Sequence, residues 1–423
     1  MLRNLALLPI AMSLAAPSPA AASETLAPAH LPAGQQQCRG VDGYAATFGG
    51  RRTFFLKPDQ LAAAKAALAA GDGATKAAYA QMIHRADAAL KRKPGSVMDK
   101  TTTPPSGDRH DYLSIAPYWW PDPAKPDGLP YLRHDGEVNP ARDTAAFDRT
   151  AIGRLGSDAQ ALGLAYYYTG DARYATKLGE IVRVWFLDPA TAMNPDADFA
   201  QAVPGREKGR AEGVLDTSAF QPVIDAVGLI GPSNALSPAE HKALEAWFGH
   251  YVDWMLTSAN GREENAAKNN HGIWFDSQIT HYALFARRPE VAEQVVAAFP
   301  TKRIAAQFDP SGKLPEELTR TRSLHYSIFA LMPAYDVAEI AGCLGRDLWN
   351  YHDAQGRGLR KATDFLAGYR GRIDQWPYQE IKPDAPELDE LLTRAGWAWG
   401  PGSYPQVASG YPLALQYGVT HAR

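Results

Sequence analysis

The chain has 423 residues, 45% of them hydrophobic and 21% charged, with a formal charge of −3 at pH 7. That is a globular balance with ample material for a core, and the length fits either two or three domains or one large helical toroid. The small negative charge argues against a surface coated for nucleic acid, so any recognition of an anion must be local, in a cleft.

The first residues are Met1-Leu2-Arg3-Asn4, followed by an apolar run over 5–16 and then Pro17-Ser18-Pro19-Ala20-Ala21-Ala22-Ser23. A short basic start, an apolar core and a small-residue cleavage site predict a signal peptide at 1–22, ending near Ala22. The alternative is a membrane anchor, but the apolar run is too short to span comfortably, and no later segment is long and apolar enough. An exported chain, periplasmic or secreted, with no membrane partner is expected. Residues 23–50 read as an extended arm and 51–423 as the main domain. Export permits a disulfide between Cys38 and Cys343, the two cysteines. Two free thiols are the other reading, and the sequence leaves both open.

Helical spacing of Ala and Leu predicts helices over 60–70 and 74–91. Residues 101–142, dense in Pro, Gly and Asp, predict a long irregular segment, a length that in a compact domain points to function. Residues 148–168 and 172–186 form a helical hairpin around Thr169-Gly170-Asp171. A polar loop follows over 194–216, then an apolar segment over 220–230. Ser237-Pro238-Ala239-Glu240 opens a helix that runs to about residue 256. Further pairs are 272–285 with 289–299, and 323–342 with 358–369. No stretch alternates as a strand should. The expectation is an all-α fold, an (α/α) toroid of helical hairpins whose inner helices face a cleft.

Three segments carry candidate chemistry. Glu317-Leu318-Thr319-Arg320-Thr321-Arg322-Ser323-Leu324-His325-Tyr326 places two arginines upstream of a tyrosine. In a helix starting near Ser323, Arg322 shares the face of Tyr326, and nearby guanidinium groups lower a phenol's pKa. Asn269-Asn270-His271-Gly272 precedes Ile273-Trp274 at a helix mouth. Capping accounts for one asparagine; the histidine beside it stands where helix-end N–H groups favour an anion. Tyr118-Trp119-Trp120 lies between prolines in the irregular segment, where aromatic faces suit sugar rings. Arg133 and His134 follow in Gly128-Leu129-Pro130-Tyr131-Leu132-Arg133-His134-Asp135-Gly136. There is no CxxC, HExxH, P-loop or dinucleotide fingerprint, so neither metal nor cofactor is expected. Glu316, Glu317, Asp276 and Asp216 keep open a carboxylate-pair glycosidase.

Taken together, Asn270-His271 with Trp274, the 317–326 stretch and Tyr118-Trp119-Trp120-Pro121-Asp122-Pro123 resemble the alginate-lyase superfamily of α/α-toroid polysaccharide lyases. The resemblance is nearest to the mannuronan- and glucuronan-cleaving branch. It implies β-elimination on an anionic polysaccharide of 1,4-linked uronic acids. Tyr326 would be base and acid, with Asn270, His271 and Arg320 neutralising the substrate carboxylate. Arg320 is the better match to the family's arginine, whereas the helix-face argument prefers Arg322, so both are candidates. His271 is the second candidate for the base. Asn269, Trp274, His325, Tyr118, Trp119, Trp120, Arg133 and His134 are expected to contact substrate. A glycosidase and a non-catalytic polysaccharide-binding protein are the alternatives.

Overall fold

The computed structural model describes residues 26–27, 37–400, 402–404 and 410–417. The expected leader at 1–22 and residues 23–25 and 28–36 of the arm lie outside the described residues. Helices α1 (Pro58–Ala70) and α2 (Gly73–Lys91) form the first pair, and α3 (Arg149–Thr169) and α4 (Ala172–Val182) the second. Then come α5 (Gln221–Ile230), α6 (Pro238–Thr257), α7 (Ala259–Ala266), α8 (Asn270–Phe285) and α9 (Pro289–Phe299). Short α10 (Ala305–Gln307) and α11 (Pro315–Leu318) lead into α12 (Ser323–Cys343). α13 (Leu359–Ala367), α14 (Pro386–Trp399) and α15 (Leu413–Gln416) complete the described chain.

Neighbours in the inner layer are α3, α5, α8 and α12, in that order, while α4, α6, α9 and α13 each back onto one of them. This is the α/α toroid that the hairpin pattern predicts. The inner position shows in the burial: α5 and α8 are apolar or buried nearly all round. Close approach is built in at Gly163 of α3, where a Cβ would stand 2.8 Å from the Cβ of Ala226 on α5. Local chemistry sets the helix starts. Ser237 and Glu240 cap α6 reciprocally, with Pro238 at its first position. The Asn269 side chain accepts the backbone N–H of His271 at 3.1 Å to open α8.

Several expectations change. The irregular segment carries strands β1 (Leu113–Ile115), β2 (Trp119–Trp120) and β3 (Leu132–Arg133), and β4 (Phe199–Ala202) lies in the expected loop. β1 pairs parallel to β4, and β2 pairs antiparallel to β3 with Trp119 opposite Arg133. At two to four residues these pieces are too short for alternation to be legible. The expected loop also contains a 3-10 helix, Ala211–Phe220. α7 was not expected because it is polar, with only Gly261 and Glu264 buried, and so carries no apolar stripe. α14 extends the helical pattern beyond residue 369 through Leu388, Leu391, Leu392 and Ala395.

Cys38 and Cys343 are joined, fastening the arm to the end of α12 across 305 residues of sequence. Among the described residues no helix is long and apolar enough to cross a membrane. A buried ion pair supports the mouth of α8. Arg303 holds Asp276 through Nε at 2.7 Å and Nη2 at 3.0 Å, and donates to the carbonyls of Asn265 and Ala267 just before the helix. Replacing both cysteines with serine is expected to lower unfolding free energy by about 2–4 kcal/mol in denaturant titration, with activity per folded molecule retained. Removing one partner of the buried pair, as in Asp276→Ala, should cost about 3–5 kcal/mol by the same measurement.

Candidate active site

At one end of the inner helices opens a cleft of about 1230 Å³. α8 shows how the helices aim side chains into it: His271 and Trp274 are the two of its sixteen residues that are not buried, and both line the cleft. From α12 and the turn before it come Arg320, His325, Tyr326 and Phe329. The irregular segment supplies Tyr118, Trp119, Arg133 and Arg142, the start of α3 supplies Arg149, and the 194–216 loop supplies Gln201 and Arg210. Asn269 and Asn270 complete the floor. The two sequence segments that lie some fifty residues apart therefore meet, as α8 and α12 pack side by side.

Tyr326 is only 5% exposed, and its hydroxyl lies 2.5 Å from that of Tyr118. The Arg320 guanidinium stacks over its ring, 3.7 Å from the centroid. Burial pushes the phenol's pKa up, the Tyr118 hydroxyl adds to this, and Arg320 offsets only part. The expected lowering by arginine is thus reversed in the free site, because desolvation of a nearly enclosed phenolate is the larger effect.

Behind His271, Asn270 and Arg320 stands a carboxylate each. Nδ1 of His271 lies 2.7 Å from Glu264, itself buried. Burial works against charge on the imidazole, but the attraction and hydrogen bond of Glu264, with Glu212 adding to them, raise its pKa overall. Asn270, fully buried, donates its backbone N–H to Glu317 at 2.5 Å and its Nδ2 to both carboxylate oxygens, at 3.1 and 2.9 Å. Its Oδ1 is buried without a partner among the described residues. Burial raises the pKa of Glu317 against the hydrogen bonds from Asn270. Asp135 receives Arg320 at two points, Nη2 at 2.7 Å and Nε at 3.1 Å. Burial alone would raise the Asp135 pKa, yet Arg320 and Thr321 together bring it down to about 2.

Four expected residues are placed differently. Arg322 is not helical: it is the residue preceding α12, with φ −119° and ψ 58°, and its Nε turns to Glu380 at 3.8 Å. The four-residue face argument presumed a helix that has not yet begun, so Arg320 is the arginine at Tyr326. Trp120 is half-buried outside the cleft with Nε1 donating to the Glu137 carbonyl, because alternation along β2 sends it to the face opposite Trp119. His134 is exposed beside Trp120 and Glu137, also outside the cleft. Asn270 presents an acceptor where a donor was expected. His325 lines the cleft with Nδ1 3.4 Å from Glu387, and Trp274 packs on Phe329. Sequence reasoning missed Glu264, Arg142, Arg149, Gln201 and Arg210; Glu264 sits on a helix with no apolar signal.

The carboxylates that kept a glycosidase open are engaged elsewhere. Asp276 is paired with Arg303, and Asp216 accepts from Tyr112, Ser114 and Gln201. Glu317 lies under Asn270, and Glu316 is exposed outside the cleft.

An α/α toroid whose cleft gathers arginines and a histidine around a buried tyrosine has the architecture of a polysaccharide lyase. More particularly, the alginate lyase family model matches residues 96–376, and the chain belongs to that family. It is similar to the crystal structure of an alginate lyase from Bacteroides ovatus, at 40% identity and a TM-score of 0.80, over 87% of this chain and 99% of that one. Alginate lyase A1-III from Sphingomonas species A1 shares the fold at 18% identity and a TM-score of 0.53, over 84% and 94%. A variant of A1-III complexed with a tetrasaccharide superposes at 18% identity and a TM-score of 0.51, over 81% and 95%. No curated protein sequence matches the chain.

Because Glu264 raises the proton affinity of His271, Glu264→Gln should lower the pH at which that imidazole loses its charge. An NMR titration of the His271 ring checks this; an unchanged or raised midpoint contradicts the assignment.

Proposed function

We propose that the protein cleaves mannuronate-rich alginate or glucuronan by β-elimination, leaving 4,5-unsaturated uronide ends. The observation that carries this reading is the conjunction at Tyr326: a phenol in hydrogen-bond contact with Tyr118 and stacked under Arg320, in the cleft that also holds His271.

The C5 proton of a uronate is a poor acid because removing it adds charge beside the carboxylate. Arg320 supplies fixed positive charge where the enolate-like intermediate develops, and His271, whose proton affinity Glu264 raises, adds to it. With Nδ1 of His271 taken by Glu264, the base role is assigned to Tyr326, which touches Tyr118 and Arg320. Since burial holds Tyr326 as a phenol, its proton has to leave before it can act, and the Tyr118 hydroxyl is the adjacent acceptor of a relay toward the open cleft. Tyr326 then takes the C5 proton and returns it to the departing O4.

For Asn270 to serve the substrate carboxylate as a donor, its amide must turn over. Glu317 then carries a proton and donates to Oδ1, while still accepting the Asn270 backbone N–H. The raised pKa of Glu317 favours that exchange. Trp119, Trp274, Arg133 and His325 are placed to contact neighbouring sugars. Export, with the leader removed near Ala22, belongs to the same reading.

One residue can act as both base and acid only if the C5 proton and O4 lie on the same side of the ring, as in mannuronate and glucuronate. Guluronate has the opposite configuration at C5. Incubation with mannuronan, glucuronan and guluronan should therefore raise ultraviolet absorbance on one or both of the first two. Tyr326→Phe should reduce that rate by at least about 100-fold. An undiminished rate in the variant, or a rise on guluronan alone, would remove Tyr326 from this role.

A further inference from the structure

The irregular segment does more than carry aromatic residues. Asp135, two residues beyond β3, reaches across to the turn before α12 and accepts from Arg320 Nη2 and Nε, from the Thr321 backbone N–H at 3.3 Å and from Thr321 Oγ1 at 3.0 Å. Oδ1 of Asp135 also accepts Arg133 Nη2 at 2.7 Å, so one carboxylate orients two cleft guanidiniums. The seat is close-fitting. Gly136 has φ +81°, and a Cβ there would meet Thr321 Oγ1 at 2.6 Å and Ile381 at 2.9 Å.

We propose that Asp135 is the positioning residue for Arg320, coupling the β2–β3 segment to the carboxylate clamp. A paired Nε and Nη2 fix the plane of a guanidinium, because the fork is rigid and binds a carboxylate at two points. With that edge taken, Nη1 is the nitrogen left for substrate, and the guanidinium carbon is held 3.7 Å over the Tyr326 ring. Tyr118 belongs to the same segment, at the base of β2. A single loop therefore sets both the arginine and the hydroxyl partner of the tyrosine. This inference rests on the reading of Arg320 as part of the clamp.

The test is steady-state kinetics on mannuronan and glucuronan, per folded molecule, for Asp135→Asn, Asp135→Glu, Arg320→Lys, Arg320→Ala and the Asp135→Asn/Arg320→Lys pair. Misplacement by about 1 Å costs on the order of 100-fold, so Asp135→Asn should lose about that in kcat with KM within about threefold. Asp135→Glu, which keeps the charge, should recover at least about tenfold of the loss. Lysine lacks the fork, so adding Asp135→Asn to Arg320→Lys should cost less than about threefold more. A wild-type kcat for Asp135→Asn, no recovery in Asp135→Glu, or a fully multiplicative double variant would each overturn the proposal. Full activity in Arg320→Ala would instead overturn the clamp itself.

Discussion

Glu264 lies under the cleft floor, 2.7 Å from the His271 ring, and the same arrangement recurs at Glu317 beneath Asn270 and at Asp135 beside Arg320. A cleft that receives a chain of carboxylates must hold cations and donors in fixed directions while it is empty. Left unpaired, a buried histidine would shed its charge and a long arginine would sample many rotamers. A carboxylate behind each group prevents both, at the cost of burying negative charge close to where the substrate's own will sit. The raised pKa of Glu317 and the lowered pKa of Asp135 show the two outcomes: one carboxylate is buried with amide donors alone, the other has a guanidinium.

The toroid makes this arrangement possible. Inner helices α5 and α8 are buried almost all round, and on α8 the side chains that escape burial do so at the helix start. On α8 these are His271 and Trp274 at the N-terminal turn. On α12 they include His325 and Phe329, one turn apart, with Tyr326 tucked between the helix and the irregular segment. Arg303 and Asp276 stiffen the entry to α8 from behind, which places Asn269, Asn270 and His271 on a rigid mount. The irregular segment closes over the opposite side through two small ladders and brings Tyr118, Trp119, Arg133 and Asp135 with it.

Much of this was legible from residue order. Most helices show their periodicity and several show their starts, so hairpins and an all-α toroid could be read directly. The tyrosine, histidine and asparagine that meet in the cleft stood out by type and neighbourhood. The failures have physical causes. The helix start near Ser323 was read correctly; what failed was carrying helical geometry one residue upstream to Arg322, whose backbone is not helical. Trp120 and Trp119 are neighbours whose faces are separated by a two-residue strand too short to detect. Tyr326 was expected to be acidified by arginine, and burial decided otherwise.

By itself, the sequence determined the fold class and singled out side chains that the structure gathers in the cleft, because periodicity and side-chain chemistry are local properties. Only the tertiary structure decided which arginine serves the tyrosine, whether the phenol is easier or harder to ionise, and which carboxylate stands behind each donor. It also decided the pairing of Cys38 with Cys343. These depend on burial and on contacts between residues far apart in the chain: Asp135 with Arg320 is separated by 185 residues. No local pattern encodes such a distance, and it is there that the electrostatics of the cleft are set.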